Sequence, residues 1–314
     1  MRRSTGLIAV ALVCGLAFSG PLSSFSPVAL EQRAPSYDVK ANYRKAEHDI
    51  PMRDGVRLHT TIYAPVRTGE FPILLVRTPY GTGPYGAENY KTFLGPSSHS
   101  REFEEDGFIF VFQDVRGKFK SEGSFTVMRP HQPNKTGNET DESSDTYDTI
   151  EWLVKHVPNN NGRVGMIGTS YPGFQVVHGL IDAHPALKAA SPQASPSDMW
   201  LGDDFHHNGA FRLMYTFSWL SGSARARKGP SEADSGRFDP GTPDGYRFFL
   251  ELGPVKNVNA RYFHDQVPEW NTYMQHPDYD AYWEAQNMLP YLNRITIPIL
   301  NVAGWFDAED FYGP

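Results

Sequence analysis

The chain has 314 residues, 39% hydrophobic and 13% aromatic, with a mean hydropathy of -0.48. Those values exclude a multi-span membrane protein and leave room for one large domain or two, with a sizeable core. Its 29 basic residues face 36 acidic ones, and a net charge of -7 gives it no reason to seek nucleic acid or an anionic membrane.

The N-terminus begins Met1-Arg2-Arg3, runs uncharged from Gly6 to Phe18 and meets small residues at Ser19-Gly20. That pattern reads as an export signal over residues 1–19, too short to span a bilayer, and predicts a periplasmic or extracellular protein. Cleavage would remove Cys14, the single cysteine, so the mature chain must be stable through its core without disulfides. Residues 20–44 lack a period and read as an N-terminal extension.

Asp54-Gly55, between His48–Met52 and the alternating Val56–Tyr63, predicts a β-hairpin. The continuous apolar runs Phe71–Val76 and Phe108–Phe112 have the length of strands buried on both faces of a mostly parallel sheet. A helix is expected near Arg101 to Asp106. The polar stretch from Lys118 to Ser144 lacks periodicity and reads as a surface excursion. A helix should start at Asp145, with Ile150, Leu153, Val154 and Val157 on one side.

Next comes the apolar run Val164–Ile167, then Gly168-Thr169-Ser170-Tyr171-Pro172-Gly173, then the helix-like Gln175–Leu180. Small residues two before and three after a serine let a strand turn sharply into a helix, leaving the Ser170 hydroxyl at the strand's carboxyl end above a helix N-terminus. The second glycine lies one place later than in the usual nucleophile-elbow pattern. Leu187–Ser191 reads as a strand, the aromatic segment 196–290 as a helical cap, and Ile295–Gly304 as one more buried strand. Strands alternating with helices give an α/β fold whose ligands bind beyond the carboxyl ends of the strands.

A serine hydroxyl needs a base to take its proton and a third group to orient that base. Asp307, just after a strand downstream of the elbow, stands where the acid is expected. Two donors must face the developing oxyanion: the backbone N–H of Tyr171 and the hydroxyl of Tyr80, which follows the Phe71–Val76 strand. Asp203, Asp204, His206 and His207 also suggest a metal site, but no third cluster matches them.

The motifs Arg77-Thr78-Pro79-Tyr80, Gln113-Asp114-Val115-Arg116-Gly117-Lys118, Ser121-Glu122-Gly123, Tyr147–Leu153, Gly168-Thr169-Ser170-Tyr171, His184–Lys188, Gly202-Asp203-Asp204 and Trp305–Asp310 occur in order. In them the chain, from about residue 45 onward, resembles the α-amino-acid ester hydrolases, of the X-Pro dipeptidyl-peptidase, cocaine esterase and glutaryl-cephalosporin acylase group. The resemblance implies an α/β-hydrolase fold over residues 45–195, interrupted by the cap over 196–290 and resumed over 291–314. It implies Ser170 as nucleophile, Asp307 as acid, Tyr80 and the Tyr171 amide as oxyanion hole, and Asp204, Glu309 and Asp310 as carboxylates that hold a substrate ammonium. Converging carboxylates suit a compact cation in a partly desolvated cleft. The expected substrate is a small α-amino acyl ester or amide, including α-amino β-lactams. No cofactor or metal is implied, and a homo-oligomer is left open.

Two departures stand out. Pro172 replaces a bulkier or acidic residue. Family members also place the triad histidine beyond the acid and add a jelly-roll domain, whereas Pro314 follows Asp307 by seven positions and all 11 histidines precede that acid. His178 lies roughly 12 Å along the helix from Ser170 and is expected to pack. The sequence therefore reads as a truncated stretch, inactive alone. Alternatives are an X-Pro dipeptidyl-peptidase or cocaine-esterase-like esterase, or a non-catalytic remnant or half of a split enzyme.

Overall fold

The computed structural model describes residues 37–95, 101–202, 204–233, 236 and 238–305. The expected export signal lies outside them. After a short helix α1 (Val39–Asn42), strands β1 (Tyr43–Pro51) and β2 (Arg57–Pro65) pair antiparallel, with Ile50 opposite Leu58. Gly55 closes their turn at φ 87°. Strands β3 (Phe71–Thr78), β4 (Ile109–Asp114), β5 (Asn160–Thr169) and β6 (Leu187–Gln193) complete a sheet of order β1-β2-β4-β3-β5-β6. The last four strands of that order are parallel neighbours. This is an α/β-hydrolase fold, and the carboxyl ends of β3 and β5 share one edge.

The continuous apolar runs are explained by two-sided burial. Ile73, Leu75, Ile109 and Val111 pack with Ile150, Leu153, Val176 and Leu180 of helices α3 (Glu142–His156) and α4 (Tyr171–Ile181). Leu74 and Phe110 face the opposite way, toward Tyr43 and Tyr63 and alongside Phe103 of α2 (Glu102–Asp106). Each such side chain taken out of water contributes about 1.5–3 kcal/mol. A third cluster is largely aromatic. A hairpin of β7 (His206–His207) and β8 (Ala210–Phe211) leads into α5 (Leu213–Ser223), α6 (Gly245–Leu252), α7 (Pro268–Gln275) and α8 (Ala281–Gln286). Phe217 of α5 meets Phe238, Phe249 and Trp270 edge-on and stacks on Phe263. Tyr171 and Phe174 of α4 join this cluster, so α4 packs on the sheet with one side and on aromatic rings with the other. No helix among the described residues is long and apolar enough to cross a membrane.

Three expectations change. Helix α3 starts at Glu142, because Asp141 and Ser144 form a reciprocal capping box, and Asp145 lies buried within the helix against Arg116. The stretch from Lys118 to Ser144 is a surface excursion only in part: most of 132–139 is exposed, but Phe119, Val127, Met128 and His131 are buried. Ser121 donates to Asp114 O and Lys118 to Ser223 O, which lets these polar side chains of a segment without periodicity go inside. Finally, 295–304 is not a buried strand. It pairs parallel with β6, through Leu300 N–H to Ala190 O and Val302 N–H to Pro192 O at 2.9 and 3.2 Å, but at that edge the described elements leave Ile299, Leu300 and Val302 exposed.

Asp141 makes the start of α3 sensitive to acid. Its buried carboxylate accepts from Gln132 N, Ser144 N, Ser143 Oγ and Lys135 Nζ at 2.7–2.9 Å and faces His131 Nδ1 at 3.2 Å. Burial opposes the charge, but these partners outweigh it and hold the carboxyl well below its usual range. A depressed pKa gives stability that is present above the unfolded value, near 4, and is lost as the pH falls below it. Asp141→Asn should therefore cost about 3 kcal/mol at neutral pH, and its deficit against the parent in thermal unfolding should shrink steadily below about pH 4.

Candidate active site

Ser170 sits between β5 and α4 at φ 63°, ψ -127°, a conformation that costs a non-glycine residue about 1–3 kcal/mol. The surroundings impose it. Ser170 N–H donates to Gln193 O at 2.9 Å, Thr169 Oγ1 donates to Gln193 Oε1 at 3.0 Å, and Ser170 O accepts from Phe174 N–H at 3.1 Å. Both glycines are required by close approach. A Cβ at Gly168 would lie 2.4 Å from Pro172 O, and one at Gly173 would lie 2.7 Å from Gln193 O. That accounts for the shifted second glycine: the point of contact with β6 is position 173. Pro172, in the first turn, loses no helical hydrogen bond. The Tyr171 N–H stands where a helix has no internal acceptor, at its positive end.

Tyr80 follows β3, with its N–H bonded to Thr78 Oγ1 at 3.1 Å and its ring 46% exposed. Its Oη accepts from Trp219 Nε1 at 3.2 Å. The same indole stacks on Tyr171, with centroids 5.7 Å apart and planes at 12°, and leans on Phe205. Tyr171 is fixed in turn, because its Oη accepts from Met128 N–H at 3.0 Å and burial keeps the phenol well above its ordinary pKa. Ser170, Tyr171 and Tyr80 thus come together at one strand edge, with Trp219 linking the two tyrosines. A cavity of about 580 Å³ opens beside Tyr80, lined by Phe119, Tyr215, Trp219, Phe238 and Lys118.

Asp204 is buried, and Arg212 Nη1 donates to its backbone oxygen at 3.3 Å. Asp307, Glu309 and Asp310 lie outside the described residues. The phenol of Tyr273 is pushed far up, first by burial and then by Tyr282, Glu269, Tyr171 and Asp204 around it. Phe205, next to Asp204 in the chain, packs on the Tyr273 ring at 5.7 Å. Glu269 is itself raised above its usual range by burial. His178 is wholly buried against Phe174, and burial pushes its imidazole down to about 3. His206 packs between Trp200 and Trp283 with Nδ1 on Met199 O. Both are packing residues. Among the described residues no three His, Cys, Asp or Glu side chains are grouped to hold a metal.

The sequence reading singled out neither Trp219 nor Glu269. Trp219 was one aromatic among many. The run Pro268-Glu269-Trp270 reads only as an acidic first helical turn, and burial of the carboxylate depends on how α7 packs.

The sequence pattern of the X-Pro dipeptidyl-peptidase (S15) family matches residues 54–313. The chain belongs to this family. It is 29% identical to the cocaine esterase of Rhodococcus sp. (strain MB1 Bresler) over 287 residues, covering 86% of this chain and 45% of that protein. Among solved structures it superposes on an α-amino acid ester hydrolase with TM-score 0.73 and 38% identity, covering 93% of this chain and 47% of that one. An aminopeptidase from a marine sediment Thaumarchaeota archaeon gives 0.74 and 34%, covering 93% and 48%. The chain spans about half the length of these relatives.

In this family member the elbow is strained, which sets a measurable trade. Ser170→Gly should raise the unfolding temperature by roughly 1–4 °C, as relief of the positive φ exceeds glycine's entropic cost. Gly173→Ala should lower it by several degrees, since Gln193 O is backbone and cannot withdraw. Calorimetry on both variants checks the pair, and an unchanged Gly173→Ala would contradict the required close approach.

Proposed function

We propose that the protein is an exported serine hydrolase that cleaves esters or amides of small α-amino acids through an acyl-enzyme on Ser170. The observation that carries this reading is the strained elbow, which holds Ser170 at a helix N-terminus beside the linked pair Tyr80 and Tyr171. In the proposed reaction Ser170 Oγ bonds to the substrate carbonyl carbon. The Tyr171 N–H and Tyr80 hydroxyl receive the carbonyl oxygen as it becomes negative. Asp307 orients the base that takes the serine proton and gives it to the leaving alcohol or amine as the bond from the carbonyl carbon to that group breaks, and water then cleaves the Ser170 ester by the same route.

Two structural relatives support an α-amino acyl substrate: one bears the name of an α-amino acid ester hydrolase and the other of an aminopeptidase. Asp204, with Glu309 and Asp310, is proposed to hold the ammonium. Support for its place comes from Phe205, next to it in the chain, which packs on Tyr273 and on the Trp219 indole that stacks on Tyr171. A second reading, an esterase for aromatic esters that lack an α-amino group, is favoured by the aromatic rings among the residues lining the cavity beside Tyr80 and by the cocaine esterase relative.

The test uses the full-length protein. A fluorophosphonate probe should label Ser170 and leave Ser170→Ala unlabelled; absence of labelling would favour a non-catalytic role. With labelling established, kcat/KM should be at least about tenfold higher for an α-amino acyl 4-nitrophenyl ester than for its des-amino counterpart, and Asp204→Asn should close most of that gap. Equal rates for the two esters would sink the ammonium site and leave the aromatic-ester reading.

A further inference from the structure

We infer that Trp219 is a positioning residue that aims the Tyr80 hydroxyl at the oxyanion. The inference rests on the function proposed above and names a residue that function does not require. An indole N–H donates and never accepts. The bond from Trp219 Nε1 to Tyr80 Oη therefore engages a lone pair of the phenolic oxygen and not its proton. Tyr80 continues to donate, and two things follow. Rotation about its C–O bond is limited by the direction of the incoming N–H. Donation into the oxygen also draws charge from it and makes the O–H a stronger donor, as in any chain of hydrogen bonds.

The indole can fix that direction because it is itself held on three sides. One face stacks on Tyr171 at an interplanar angle of 12°, and its ring leans on Phe205 at 5.6 Å. Its backbone belongs to α5, which is anchored by fully buried Thr216 and Leu220. Tyr171, the residue after Ser170, is pinned by Met128 N–H. Trp219 thus touches both halves of the proposed oxyanion hole, one supplied by β3 and one by α4. Tyr80 is 46% exposed, so a held donor beside it matters. Preorganised donors stabilise charge most when nothing must reorient as it forms.

Phenylalanine keeps a ring that stacks on Tyr171 and removes only the donor. In the full-length enzyme, acting on an α-amino acyl 4-nitrophenyl ester, Trp219→Phe should lower kcat about three- to tenfold and leave KM within about twofold. The Ki of a boronic acid, whose serine adduct carries an oxygen in the oxyanion position, should rise by the same factor. In a Tyr80→Phe background, Trp219→Phe should cost nothing further. An equal loss in both backgrounds, or a change confined to KM, makes Trp219 a packing residue and overturns the inference. So does an effect of Tyr80→Phe with none from Trp219→Phe, which leaves the functional reading standing. If Tyr80→Phe itself has no effect, the oxyanion role of Tyr80 falls and the inference falls with it. Should Trp219→Phe fail to fold, Trp219→Leu, which also lacks a donor, gives the same readouts in both backgrounds.

Discussion

The guanidinium of Arg77 fastens the elements that carry the site. It is wholly buried one residue before the end of β3, donating from Nε to Gln113 of β4 and from Nη1 to Thr146 and Glu142 O of α3 and to Gln175 of α4, at 2.8–3.0 Å. The Glu142 carboxylate lies 3.3 Å away and that of Asp145 3.9 Å. A buried charge costs several kcal/mol unless its partners are complete, and these acids would be left uncompensated without it. This arrangement holds β3, α3 and α4 in one geometry. Tyr80 leaves the end of β3 three residues after Arg77, and α4 begins right after Ser170, so the same group fixes the distance between them.

Around that anchor the site is shared between two kinds of packing. On the sheet side, Gly168 and Gly173 admit backbone contacts that no side chain would allow, and Gln193 of β6 holds the turn. On the aromatic side, Tyr171 and Phe174 belong to the ring cluster that includes Phe217 and Trp270. Edge-on and stacked rings resist sliding because their quadrupoles favour particular angles. A residue such as Trp219, near this junction, is thereby given one orientation and not several.

Much of the sheet is legible in the chain. Asp54-Gly55 between alternating residues gives the β1–β2 hairpin, and the unbroken apolar runs at Phe71 and Phe108 give strands covered on both faces. The elbow is legible too, since glycines flanking a serine between an apolar run and a helical one have few other uses. What periodicity misses is burial of polar segments. Residues 118–144 look solvated, yet Lys118 and Ser121 go inside because each meets a carbonyl from outside the segment, and Asp141 because Gln132, Lys135, Ser143 and Ser144 converge on it. Ile299–Val302, whose apolarity predicts a strand, pairs with β6 and is exposed among the described residues.

The sequence by itself determined the order of strands and helices, the turn at Ser170 and the candidate residues at the strand ends, because those features depend on local period, glycine sterics and caps. Only the tertiary structure decided the rest. It set Trp219 between Tyr80 and Tyr171, brought Asp204 and Glu269 to bear on one buried phenol, and packed His206 among tryptophans. These are contacts between residues up to 139 positions apart. No local pattern encodes them, because they follow from how α5 and α7 pack around the first turn of α4.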